Sequence, residues 1–331
     1  MTQVFGTLGP ACAKQEILEA MFRAGMTGMR LNLSHTGLAQ SAALLKAFHA
    51  AAKAAGTAPQ LLIDMQGPEL RVGDLSAPLT LTAGETVALG AAGIPLPAAV
   101  EPYLVPGQQL MLDDGKLLVQ VTQAADAGTP ALAQVLRGGV LKGHKSVKLP
   151  GIEVPLPLLT GHDIENLKQA HAWGVTALMQ PFVRSGADLA GVRAILREIG
   201  AQDIQIFAKI ESMTGVQALE GIIKEADVIV IARGDLGNDM PLWQLPAVQK
   251  KIEAACRTAG KPFITVTQML ASMEHSPVPT RAEVSDIFNA VTGGCWGVML
   301  TGETAAGEYP VEAITYMANT ARVAERWLAD N

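Results

Sequence analysis

The chain has 331 residues, 49% of them hydrophobic, and a formal charge of −6 at pH 7, which suits one large or two ordinary globular domains. Four Trp, three Tyr and scattered basic residues argue against a basic, aromatic surface for nucleic acid. No apolar run approaches the ~20 residues that span a bilayer and nothing near Met1 resembles a signal peptide, so a cytoplasmic protein with no membrane partner is expected.

In chain order, short apolar segments recur at 4–9 (VFGTLG), 28–34 (GMRLNLS), 60–67 (QLLIDMQG), 177–182 (ALMQPF), 204–211 (IQIFAKIE), 228–235 (VIVIARGD), 262–268 (PFITVTQ) and 297–303 (GVMLTGE). Helical patterns separate them, such as KQEILEAMFRAG at 14–25 and RAEVSDIFNAVTGG at 281–294, with Gly repeatedly at the C-terminal end. Thr160 with Asp163 three residues on resembles a capping box opening the helix near 160. Strand then helix, eight times over, predicts an α/β fold, a (β/α)8 TIM barrel.

One interval is too long for a loop. Residues 69–148 show two-residue alternation in LTLTAGETVAL and QLMLDDGKLLVQVTQ, with turn signals at Asp114-Gly115 and Gly138-Gly139. The expected organisation is a catalytic barrel over 1–68 and 149–331, with an inserted small β-barrel-like lid domain over 69–148 after the third strand. An insertion leaving the C-terminal end of a barrel strand is placed to act as a lid.

The sixth segment, DVIVIARGDLG, carries a β-branched run that suits a parallel strand covered on both faces. Its charged end reads in two ways, as chemistry at a strand's carboxyl end or as a solvated turn. The other strand ends make a set with it: Arg30, Asn32 and Ser34; Asp64; Lys209 and Glu211; Arg233 and Asp235; Thr267; Thr301 and Glu303. Period-two spacing points each such pair the same way. Glu211 and Asp235 are two hard carboxylates suited to Mg²⁺ or Mn²⁺ with open positions for substrate oxygens, and the competing reading is a set of interior ion pairs bracing the barrel. Cys12, Cys256 and Cys295 are odd in number, far apart and without CxxC spacing, so they read as packed thiols and not as a disulfide framework, zinc site or nucleophile.

TLGPA (7–11), RLNLSH (30–35), DMQGPELRVG (64–73), LDDG (112–115), VKLPG (147–151), KIES (209–212), ARGDLG (232–237), TQMLASM (267–273), PTRAEVSDIFNAV (279–291) and TGETAAGEYP (301–310) together resemble the signatures of the pyruvate kinase family, in order and across almost the whole chain. The resemblance implies a cytoplasmic, glycolytic phosphotransferase that moves the phosphoryl group of phosphoenolpyruvate to ADP, giving pyruvate and ATP through an enolate. It implies Lys209 beside the phosphoryl group in flight and Glu211 and Asp235 on the divalent metal. Arg30 and Arg71 clamp the phosphate, Thr267 lies at the face where the enolate is protonated, and Ala232, Gly234 and Asp235 seat the carboxylate. Asn32, Ser34, Asp64 and the Met65 carbonyl match the K⁺ site, and Glu69 is the residue type that accompanies potassium dependence. His35 and Lys145 match nucleotide contacts, and Asp114 with Lys145 matches lid residues. A homo-oligomer is expected.

Departures from the family pattern accompany these matches. The chain stops at AERWLADN, just after the eighth barrel helix, where the family continues into a C-terminal α/β domain. Gln66 and Ala306 stand where Lys is usual, and Gln40 near where an aromatic residue faces the adenine. Intact phosphoenolpyruvate residues beside a thinned nucleotide set keep a second reading open at this stage, a metal-dependent lyase or decarboxylase acting on pyruvate-like 2-oxo acids.

Overall fold

The computed structural model describes residues 1–34, 36–152 and 154–331. The chain divides into two compact units, Met1–Gly67 with Leu158–Asn331, and Pro68–Pro157. In chain order the first unit begins with β1 (Gln3–Thr7), α1 (Gln15–Ala24), β2 (Gly28–Asn32), α2 (Ala42–Ala55) and β3 (Gln60–Asp64). The second unit then holds β4 (Leu79–Leu81), β5 (Thr86–Leu89), β6 (Gln109–Leu112), β7 (Leu117–Gln123), β8 (Ala131–Arg137), β9 (Gly139–Leu141) and β10 (Val147–Lys148). The first unit resumes with α3 (Gly161–Gln169), β11 (Ala177–Gln180), α4 (Gly186–Glu198), β12 (Gln205–Ile210), α5 (Met213–Gln217), α6 (Leu219–Glu225), β13 (Val228–Ala232) and α7 (Arg233–Gly237). It ends with α8 (Leu245–Thr258), β14 (Phe263–Val266), α9 (Arg281–Thr292), β15 (Gly297–Met299), α10 (Gly302–Ala305) and α11 (Pro310–Asp330).

In the first unit the strands close into a parallel barrel in the order β1-β15-β14-β13-β12-β11-β3-β2. Alternation decides which residues fill it. In β13, Val228, Val230 and Ala232 join the interior cluster with Phe5, Leu62, Met179, Phe207 and Ile264. Ile229 and Ile231 point the other way, into the layer packed under the helices. This explains why the run lacks polar alternation: both faces are buried, and each branched side chain contributes about 1.5–3 kcal/mol by burial. The same parity carries Arg30 and Asn32 of β2, Asp64 of β3, and Lys209 with the following Glu211 of β12 onto the interior face at the C-terminal end of the barrel.

Helix signals are local and legible. Thr160 and Asp163 form the expected capping box of α3, and Thr280 and Glu283 form another on α9; such caps are worth about 1 kcal/mol. Gly25 and Gly56, left-handed at φ 118 and 67, close α1 and α2. Strands are shorter than their apolar patterns. β13 ends at Ala232, because Arg233–Gly237 turns helical. β14 ends at Val266, because Thr267 and Gln268 adopt φ 76 and 53.

The second unit is antiparallel, a five-stranded sheet in the order β10-β6-β7-β8-β5 beside the pair β4-β9. Asp113, Asp114 and Gly115 turn between β6 and β7 with φ 49, 55 and 78, a conformation that short polar residues and Gly tolerate best. Leu149 and Ile152 pack in this unit's core, past the boundary near 148 expected from composition. Among the described residues no helix is long and apolar enough to cross a membrane, and all three cysteines are buried and free.

Candidate active site

Strand register gathers the charged residues. Asn32 of β2 lies beside Asp64 of β3, and Asp64 beside Met179 of β11. Arg30 Nε and Nη2 both stand 2.7 Å from Asp64 Oδ2. Lys209 Nζ reaches across from β12 to lie 3.3 Å from both Asp64 oxygens and 2.8 Å from Glu211 Oε1. The result is a chain of alternating charge, Arg30–Asp64–Lys209–Glu211, at one end of the barrel. The Lys209 and Arg30 side chains are only 14% and 15% exposed.

Burial makes these charges consequential, since ions out of water are tolerated only when paired. Burial alone raises the Asp64 pKa, but Lys209 and Arg30 outweigh it and hold the carboxyl below its usual range. Burial likewise lowers that of Lys209, and Asp64 with Glu211 overcomes it, so the ammonium keeps its proton more tightly than a free lysine. Glu211 goes the other way. Burial and the like charge of Asp235 push it up to about 7, against the pull of Lys209. Its Oε2 accepts from the backbone N–H of Phe182 at 2.8 Å, from a residue held at φ 54. Its Oε1 has Lys209 as an ionic neighbour without hydrogen-bond alignment. Asp235 sits in the first turn of α7 and is exposed; its charge reaches both Lys209 and Glu211.

Thr267 follows β14 directly. A Cβ on Gly234 would meet its Cγ2 at 3.1 Å, so glycine lets the α7 turn approach Thr267 closely. Of the residues expected to hold K⁺, Asn32 Oδ1 accepts from Ser34 N at 3.0 Å, and Met65 N donates to Met179 O at 3.1 Å. The loop carrying Met65 is tied down by Asp163, a residue that motif reading assigned only to a helix cap. Its fully buried carboxylate accepts from Gln66 N at 2.8 Å and Gly67 N at 3.1 Å besides the two Thr160 donors. Glu303, also buried, accepts from the backbone N–H of Leu270 and Thr301. No spacing rule points to Gln66, Gly67 or Leu270, because each lies in a loop distant in sequence from the carboxylate it meets.

The remaining expected residues belong to the second unit. Arg71 forks onto Glu69 Oε2 and donates to the His144 carbonyl at 2.7 Å. Lys145 Nζ lies 2.9 Å from Asp113 Oδ1, and Asp114 pairs with Ser146 through its backbone and side chain. His35 lies outside the described residues. Cys12, fully buried, rests its Sγ 3.6 Å from the Thr7 and Gly9 carbonyls with its pKa raised by burial, as expected of a packed thiol.

Comparison with known proteins decides the family. The description "Pyruvate kinase, barrel domain" matches residues 1–314. The chain belongs to the pyruvate kinase family. It is 36% identical to a pyruvate kinase of Clostridium acetobutylicum over 98% of this chain and 70% of that protein. It is 37% identical to one of Bacillus licheniformis over 99% of this chain and 57% of that protein. A solved pyruvate kinase from Cryptosporidium parvum superposes with a TM-score of 0.89 at 34% identity, covering 98% of this chain and 69% of that one. The chain thus spans 57% to 70% of the length of these pyruvate kinases.

Proposed function

We propose that this chain transfers the phosphoryl group of phosphoenolpyruvate to ADP, yielding pyruvate and ATP. The supporting observation is Lys209, a buried ammonium kept charged by Asp64 and Glu211 at the open end of a closed barrel, with the Arg30 guanidinium beside it. Phosphoryl transfer needs positioned cations around spreading oxyanion charge more than a covalent participant. In this reading Lys209 stabilises the phosphoryl oxygens in flight and Arg30 binds the phosphate. Thr267, next to Gly234, faces the enolate carbon and delivers or relays its proton. Ala232, Gly234 and Asp235 shape the seat of the carboxylate. Arg71, as a phosphate clamp, Asp114 and Lys145, as lid residues, and His35 and Lys145, as nucleotide contacts, take these roles from their match to the family motifs.

A divalent cation suits the donor set. Burial and the nearby charge of Asp235 push Glu211 up to about 7, and Glu211 with Asp235 would hold Mg²⁺ or Mn²⁺, which would offset that charge and supply Lewis-acid polarisation to the substrate oxygens. Oxygen donors from Asn32, Ser34, Asp64 and Met65 suit K⁺. The lyase alternative has no support, since the relatives that match are named pyruvate kinases. The test is formation of pyruvate and ATP from phosphoenolpyruvate and ADP with Mg²⁺ and K⁺. Pyruvate appearing at equal rate without ADP overturns the proposal.

A further inference from the structure

A β-branched residue with positive φ is an outlier that its surroundings must impose. Thr267 at φ 76, followed by Gln268 at φ 53, is such a residue, and the group that holds it is the Arg233 guanidinium. Arg233 Nη2 donates to the Thr267 carbonyl at 2.7 Å, and Nε lies 3.2 Å from the carbonyls of both Val266 and Thr267. Nη2 also meets Met269 Sδ at 2.8 Å, while Nη1 is anchored on Asp286 Oδ2 of α9 at 2.7 Å. The fork is mostly buried, with 13% of the side chain exposed. Arg233 immediately precedes Gly234 and Asp235, so one side chain bolts the turn that carries Asp235 to the turn that carries Thr267.

We propose that Arg233 is a positioning residue: it holds the Thr267 backbone in the left-handed conformation and so keeps the hydroxyl over the enolate carbon, with Asp286 as its anchor. The inference rests on the reading of Thr267 given above. Arg is required because a planar fork spans two successive carbonyls, which the point charge of Lys does not.

The structure also supplies a means of testing this. Arg233, Gln268, Asp286 and Asn289 line a cleft of about 410 Å³, so removing the side chain opens a path from solvent to the Thr267 carbonyl. In Arg233→Ala, kcat is expected to fall by about 10²-fold, the loss typical of a small misplacement, with KM for phosphoenolpyruvate little changed. Hydrogen–deuterium exchange at the pyruvate methyl should fall in parallel. Added guanidinium ion should restore both, whereas methylammonium and Arg233→Lys should not. Asp286→Asn, which leaves the fork but loosens it, should show a smaller loss with the same pattern, and it replaces Arg233→Ala should that variant fail to fold. The second measurement is independent of turnover: the ¹³C-labelled Thr267 methyl resonance should shift in the variant and return with guanidinium. Unchanged kcat, a loss confined to KM, or an unshifted Thr267 resonance overturns the inference. An inactive wild type whose Thr267 resonance still responds overturns the proposed reaction and leaves the positioning role standing.

Discussion

Lys209 and Asp64 stand 145 residues apart in the chain, yet the ammonium lies 3.3 Å from both carboxylate oxygens. The pairing spans from β12 to β3 and is shared by Arg30 on one side and Glu211 on the other. Two cations and two carboxylates in alternation allow a charged lysine to remain buried without substrate. The same arrangement keeps that charge aimed at the barrel mouth and already ordered, so little reorganisation is needed when transition-state charge develops.

Lys209→Met is expected to fold, because Arg30 still neutralises Asp64. Its rate of pyruvate formation should drop by about 10²-fold or more, the range for removing one preorganised electrostatic group. Steady-state assay together with circular dichroism checks both halves, and a folded variant of near wild-type rate refutes the role.

Metal binding should depend on pH through Glu211. In the folded, metal-free protein its proton is held to about pH 7, against an ordinary value of 4.5. The folded state therefore binds more protons than the unfolded chain between those values. The associated stabilisation is complete below about 4.5 and is lost as pH rises through about 7. A cation must displace the same proton, so Mn²⁺ affinity should climb as pH approaches about 7 and level off above it. Mn²⁺ titration by electron paramagnetic resonance, with thermal melts in chelator, reads both trends.

Asp163→Asn should be more damaging than a helix-cap change usually is. An amide in place of the carboxylate turns an NH₂ group toward backbone donors at Gln66, Gly67 and Thr160. Each buried donor left unsatisfied costs about 1–3 kcal/mol, and the loop presenting Met65 loosens with it. Urea unfolding should register the loss, and the K⁺ concentration for half-maximal activity should rise.

Gln66→Lys should strengthen ADP binding. A charge-assisted contact to phosphate is worth about 1.5–3 kcal/mol, so about a tenfold gain or more is expected at the position where family members carry Lys. Calorimetric titration of the Mg²⁺-loaded protein measures it, and an unchanged affinity would mean that the side chain does not face the phosphates.

The barrel was legible in the sequence because its signals are local. The apolar run Val228–Ala232, the Gly residues ending α1 and α2, and the Thr160–Asp163 box each act over a few residues, and period-two spacing placed Lys209 and Glu211 on one face. The tertiary structure alone decided the partners. Asp64, assigned to K⁺ from its motif, engages both Arg30 and Lys209. Asp163 serves a loop nearly a hundred residues earlier as well as its own helix. Arg233, grouped with the strand-end charges in the sequence, grips the Thr267 carbonyl. Nothing in residue type announces Phe182 or Thr267 at positive φ, because that conformation is imposed by contacts between strand ends that only closure of the barrel brings together.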